Sequence, residues 1–132
     1  MKEKLRNLLN YSYTPYYKYP VASVIIMKDG KEFCGVNVET SSPAAGICAE
    51  RNAIYSAIAC GYGKGDIREI HVMSRTEDDC FPCFICRHAI SDLCDRDVKV
   101  ISHTYSDKIV IHTVEELCPY PFGDDNMKDD LL

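Results

Sequence analysis

Apolar residues recur along the chain with two distinct periods. Leu5, Leu8 and Leu9 share one face of a predicted helix from Lys2 to about Tyr11. After a tyrosine- and proline-rich loop (Tyr13 to Pro20), Val21 to Met27 is an unbroken β-favouring run that ends at the Asp29-Gly30 turn. Lys31 to Val38 returns as its hairpin partner. Glu39 to Ile47, with Thr, Ser, Ser, Pro and Gly, reads as a loop. Ala49, Ala53, Ile54, Ala57 and Ile58 then keep helical spacing within Cys48 to Cys60, and Gly61 and Gly63 stop that helix. A strand (Ile67 to Ser74), a loop (Arg75 to Pro82) and a second helix (Cys83 to Leu93) follow. Strands over Val98 to Ser102 and Lys108 to Thr113 and a helical turn over Val114 to Cys118 complete the pattern. The order α-β-β-α-β-α-β-β-α predicts an α/β domain with helices packed on a partly parallel sheet. There is no internal repeat. Residues 1–123 form one domain on this reading, and residues 124–132 an acidic tail that frays.

Composition narrows the function classes. Of the 132 residues, 46% are hydrophobic and 27% charged, an ordinary globular balance. Twenty Asp and Glu outweigh fifteen Lys and Arg, for a net charge of -5. Binding to a nucleic acid backbone runs on clustered cations, so no nucleic acid polymer is expected as a partner. No apolar run approaches the roughly 20 residues of a membrane span. The first ten residues hold no apolar secretory segment, which points to the cytoplasm and a reducing environment.

Eight cysteines are many for a chain of this size. In a reducing compartment such spacing speaks for metal or catalysis rather than disulfides. Cys83 and Cys86 are three apart at a helix start, where both thiolates can reach one ion. Cys48 begins the other central helix, and two helix N-termini aimed at one point would favour thiolates. Arg51 is placed to balance their charge. Two sites remain possible here. Cys48, Cys80, Cys83 and Cys86 would make a closed, structural four-cysteine zinc module that catalyses nothing. Cys48, Cys83 and Cys86 alone would leave a position for water, the layout of a catalytic zinc, with Glu50 as the proton shuttle.

Cys48-Ala49-Glu50 followed by Pro82-Cys83-x-x-Cys86 resembles the zinc-dependent nucleoside deaminases, and among them the small homotetrameric cytidine deaminases. The likeness runs from about Tyr16 to Gly123. It includes Asn37-Val38-Glu39, similar to the family's ribose-binding element, and Glu115-Glu116-Leu117-Cys118-Pro119-x-x-Phe122-Gly123, similar to its C-terminal element. The resemblance implies a three-layer α-β-α fold around a five-stranded mixed sheet, and one Zn2+ per subunit. It implies hydrolytic removal of the 4-amino group of a free cytosine nucleoside, with Glu50 moving protons. Asn37 and Glu39 would bind the sugar 3′-hydroxyl. Tyr19 and Ala49 would line the base site, and Phe122 would reach a neighbour's pocket in a homotetramer whose active sites lie near subunit interfaces.

The chain departs from the family pattern around the expected substrate. Ala22-Ser23, Thr40-Ser41-Ser42-Pro43, Tyr17, Tyr19 and His88 replace more usual residues, whereas the zinc and shuttle positions match. Blasticidin S deaminase shares the zinc elements, so a modified cytosine nucleoside is the alternative substrate. His88, two residues from Cys86, points off the ligand face. His71, His103 and His112 read as ordinary sheet residues without ligand spacing. Cys34, Cys60, Cys94 and Cys118 read as buried thiols.

Overall fold

A computed structural model describes residues 1–127. The chain runs α1 (Lys2–Leu9), β1 (Val21–Met27), β2 (Glu32–Val36), α2 (Ala49–Ala59), β3 (Ile67–Ser74), α3 (Phe84–Leu93), β4 (Lys99–His103), β5 (Ile109–Thr113) and α4 (Val114–Leu117), with short 3-10 turns at Pro43–Ala45 and Asp124–Asn126. The element order predicted from periodicity is the order found. Of the predicted tail, residues 124–126 form that turn, with Asp124 2.8 Å from the Lys64 ammonium. Residues 128–132 lie outside the described residues.

The five strands make one mixed sheet in the order β2-β1-β3-β4-β5. β3 and β4 are parallel because α3 carries the chain over the sheet between them; the other neighbours are antiparallel. β1 sits inside the sheet with both faces covered, which is why its sequence is apolar without alternation. Ala22, Val24 and Ile26 pack with Leu5 and Leu9 of α1 on one face. Ile25 and Met27 pack on the other, with Ala53, Ile54 and Ala57 of α2, Ile90 of α3, and Val114 and Leu117 of α4. These are the three α-β-α layers.

All eight cysteines are free thiols. Cys94 and Cys118 are buried as expected, but Cys34 and Cys60 are exposed. Cys34 lies on the edge strand β2, where alternate side chains face outward, and Cys60 closes the exposed end of α2. Both depart from the buried reading because their elements end or border the sheet.

The histidines of β3 and β4 do more than fill the sheet. His71 Nδ1 lies 2.8 Å from His103 Nε2, and His71 Nε2 lies 3.0 Å from Glu69 Oε1. A carboxylate only accepts, so His71 donates to Glu69 and accepts from His103. This leaves His103 Nδ1 a buried acceptor with no donor among the described residues. Burial above all, and then His71, the N-terminal amine and Lys2, push the His103 imidazole down to about 4. An unfolded histidine titrates near 6.5. Between about pH 6.5 and 4 the unfolded chain therefore binds a proton that the folded chain refuses, and stability falls as pH falls. Urea melts at pH 7 and pH 4.5 are expected to show a smaller acid loss in His103→Gln than in the native chain. An equal loss in both would contradict this assignment.

Candidate active site

The site forms where α2 and α3 begin on the same face of the sheet. Cys48 and Cys83 are the N-cap residues of the two helices, both with extended backbone, and neither thiol caps its own helix. Each is thus free to turn toward the other, and their sulfurs lie 3.6 Å apart. Cys86, one turn into α3, is fully buried on the same side. The three sulfurs all lie within 4.8 Å of one another. Thiolates on one tetrahedral zinc, at about 2.3 Å each, stand roughly 3.8 Å apart, so the donor set fits that ion.

Electrostatics favour thiolates here. Arg51 donates from Nε to Cys86 (3.4 Å) and from Nη2 to Cys48 (3.5 Å). The Cys48 thiol is held down at about 5, first by hydrogen bonding with Cys86, then by Arg51 and Cys83, against the cost of burial. Cys80 is not part of the cluster. Its backbone N–H donates to Ser102 Oγ (2.9 Å), and its thiol lies beside Tyr19 and Ser74. Burial, with the nearby Glu50 charge, pushes that thiol up to about 12. The closed four-cysteine arrangement therefore does not form.

Glu50, in the first turn of α2, is buried, with 4% of its surface exposed. Burial, with the Cys48 charge second, raises its carboxyl to about 7. Glu50, Ala49, Cys48 and Cys83 line one side of a cavity of about 430 Å3. Tyr19, Val21 and Asn37, with Asp79, Cys80 and Phe81 of the 75–83 loop, complete its lining. Sequence reading missed Asp79, Phe81 and Val21. Nothing in their spacing sets them apart, and they reach the cavity only through the path of a loop and a strand start.

The start of α2 is fixed by Gly35. A Cβ there would lie 2.6 Å from the Ala53 nitrogen and closer still to the Ala49 carbonyl oxygen. Asn52 Nδ2 adds a hydrogen bond to the Val36 carbonyl (3.0 Å). Gly35→Ala is therefore expected to push α2 off β2, with Cys48 and Glu50 moving too. Overpacking of this kind costs about 1–3 kcal/mol. A thermal melt unchanged within a degree would contradict this close packing.

Asn37 and Glu39 hold the tyrosine loop. Asn37 Oδ1 accepts from the Val21 N–H (2.8 Å) and the Ser12 hydroxyl, and its Nδ2 donates to the Tyr19 carbonyl (2.8 Å). Glu39 accepts from the N–H groups of Tyr16 (3.0 Å) and Tyr17 (3.2 Å). Asn37 lines the zinc-side cavity, and both line an adjoining one of about 500 Å3 that also borders Cys48 and Arg51. Phe122 is not brought to its own chain's site. It is exposed and stacks on His88, with centroids 6.5 Å apart, while His88 lies 3.3 Å from Asp92.

The chain matches the family model described as "Cytidine and deoxycytidylate deaminase zinc-binding region" over residues 1–102. The chain belongs to this family. It is 35% identical over 118 residues to a cytidine deaminase of Halalkalibacterium halodurans, covering 89% of this chain and 88% of that one. It is 30% identical over 116 residues to a cytidine deaminase of Sporosarcina psychrophila, with coverage of 88% and 84%. The crystal structure of cytidine deaminase from Burkholderia pseudomallei superposes with a TM-score of 0.87 at 31% identity, covering 91% of this chain and 94% of that one. Among the described residues, no helix is long and apolar enough to cross a membrane.

Proposed function

We propose that this chain is a zinc-dependent deaminase that hydrolyses the 4-amino group of a free cytosine nucleoside, converting cytidine or deoxycytidine to the uracil nucleoside and ammonia. The observation that carries this reading is the buried Glu50 carboxyl, which shares a cavity with Cys48 and Cys83 of the three-sulfur cluster. Cys48, Cys83 and Cys86 would hold the zinc, which when bound supplies a Lewis acid that brings the pKa of a water near 7. Glu50 takes a proton from the attacking water and delivers it to ring nitrogen N3. The same carboxyl then moves a proton from the new C4 hydroxyl to the departing amine, so that one water enters and one ammonia leaves. Burial suits this task, because it keeps the carboxyl ready to hold or release a proton near neutral pH. Arg51 offsets the charge of the sulfurs.

Ala49 and Tyr19 border the base, and Asn37 and Glu39 face the sugar. Glu39 uses its two oxygens on backbone N–H groups yet keeps lone pairs for a hydroxyl, and Asn37 keeps one N–H. The reading includes a homotetramer in which Phe122 of one subunit enters its neighbour's site, an acidic tail from residue 124, and a cytoplasmic role in pyrimidine salvage. The fall in cytosine absorbance with zinc-loaded protein tests it, using cytidine, deoxycytidine and blasticidin S side by side. Turnover of cytidine or deoxycytidine is expected. Turnover of blasticidin S alone would move the assignment to modified nucleosides, and no turnover of any would overturn it.

A further inference from the structure

Cys83 reaches the sulfur cluster from a helix start that lacks the ordinary clamp. It is the N-cap of α3, yet its thiol makes no capping bond, and the first turn carries no acidic residue. The side-chain oxygen that usually pins a helix entry is therefore missing. Cys48, at the start of α2, has a substitute on its own flank. Ile47 pairs with Val38 in an antiparallel bridge, with N–H···O bonds of 3.0 Å in both directions. Among the described residues, Pro82 belongs to no strand or bridge, and proline offers no N–H. Arg87 takes over that task. Its side chain turns back along α3, and Nε donates to the Pro82 carbonyl at 2.8 Å. Its backbone N–H donates to the Cys83 carbonyl, also at 2.8 Å. The carbonyls on either side of the Cys83 Cα are thus both bonded to one residue. The Pro82 carbonyl shares a rigid peptide plane with the Cys83 nitrogen, so holding one orients the other.

The guanidinium is itself fixed. Nη1 donates to the Leu117 carbonyl at the end of α4 (3.3 Å), and the group lies over the Phe84 ring, 4.5 Å from its centroid. Arg51 is different in kind. It donates to the sulfurs of Cys48 and Cys86, whereas the side-chain bonds of Arg87 go to carbonyls. Resting on the zinc site of the deaminase reading, we propose that Arg87 is a positioning residue for the metal. Its planar fork spans the Pro82 and Leu117 carbonyls and thereby sets where the Cys83 sulfur meets the ion. It acts by geometry rather than by charge, as groups that orient a ligand from behind do. A ligand left to drift at an uncapped helix start would meet the other two sulfurs only part of the time.

Competition with a chromophoric chelator measures zinc affinity, and the visible bands of the cobalt-substituted protein report the ligand geometry. Arg87→Met is expected to weaken zinc binding about tenfold or more, the scale of losing a group that orients a metal ligand, and to shift the cobalt bands. Arg96→Met is the control. Arg96 Nη2 donates to the Cys118 carbonyl at 3.0 Å, so this variant loosens the same C-terminal segment without freeing the α3 start. It orients no ligand and should stay within about threefold of native affinity. Arg87→Lys keeps the charge but not the fork, and is expected to bind zinc at least about threefold more weakly than the native chain. Native affinity in Arg87→Met or in Arg87→Lys would overturn the assignment, and so would an equal loss in Arg96→Met. If Arg87→Met does not fold, Arg87→Lys against Arg96→Lys carries the same comparison. The outcomes stay distinguishable from those for the activity. Zinc bound natively without deamination would sink the deaminase reading and leave Arg87 in its role, whereas native protein that takes up neither zinc nor cobalt would sink both.

Discussion

Glu50→Gln is expected to keep one zinc per chain and lose deamination by about two to four orders of magnitude, the usual contribution of a positioned acid-base group. Glutamine has the same shape and fills the same buried position at the start of α2, so the fold and the sulfur cluster stay intact. What it loses is the ability to take up and return a proton. The loss should fall on kcat, with KM changed little, since the amide still fills the space beside the base. Zinc content, a melt and single-turnover kinetics check this together. Turnover within tenfold of the native rate, with zinc present, would assign the proton transfers elsewhere.

The second large effect is on the metal. Cys83→Ala removes one of three sulfurs from the cluster, and the variant is expected to bind zinc far below one equivalent and to be inactive. The informative control is Cys80→Ala. Cys80 lies outside the cluster with its thiol held protonated by burial, so this variant should retain a full equivalent of zinc and measurable activity. Equal zinc loss in both variants would restore the four-cysteine module. A full equivalent of zinc in Cys83→Ala would remove Cys83 from the donor set.

The same comparison of Cys80 with Cys83 shows how far the sequence reaches. Spacing alone admitted both, because Cys80-x-x-Cys83-x-x-Cys86 contains two overlapping pairs. Only the N-cap position of Cys83, and the hydrogen bond that draws Cys80 toward β4, separate them. The secondary structure was legible throughout because its periods are strong: β1 and β3 begin and end at the predicted residues. The parallel pairing of β3 with β4 followed from the α3 crossover. The His71–His103 contact was hidden, since it depends on a register that sets Met73 opposite His103 and leaves the histidines diagonal on one face. Asp79 was hidden for a different reason. A carboxylate in a loop of Glu77, Asp78 and Asp79 reads as solvated until the chain's path turns one oxygen inward. Asn37 and Glu39 were read through the family's ribose element, and their grip on the Tyr16–Tyr19 backbone shows a loop-holding task that the motif alone did not reveal.

Cys48 and Cys83 stand 35 residues apart, at the starts of two helices that flank β3 in sequence. An ion held between them ties the first half of the polypeptide to the second. Closing a loop of that length removes conformational freedom from the unfolded chain worth about 4 kcal/mol in the chain-entropy model for a cross-link. The ion is then a fastener as well as a reagent. Metal-free protein is therefore expected to lose the clasp on the two helix ends as well as catalysis, with the amides at the beginnings of α2 and α3 exchanging faster than in the zinc-loaded protein; equal exchange in both forms would contradict this.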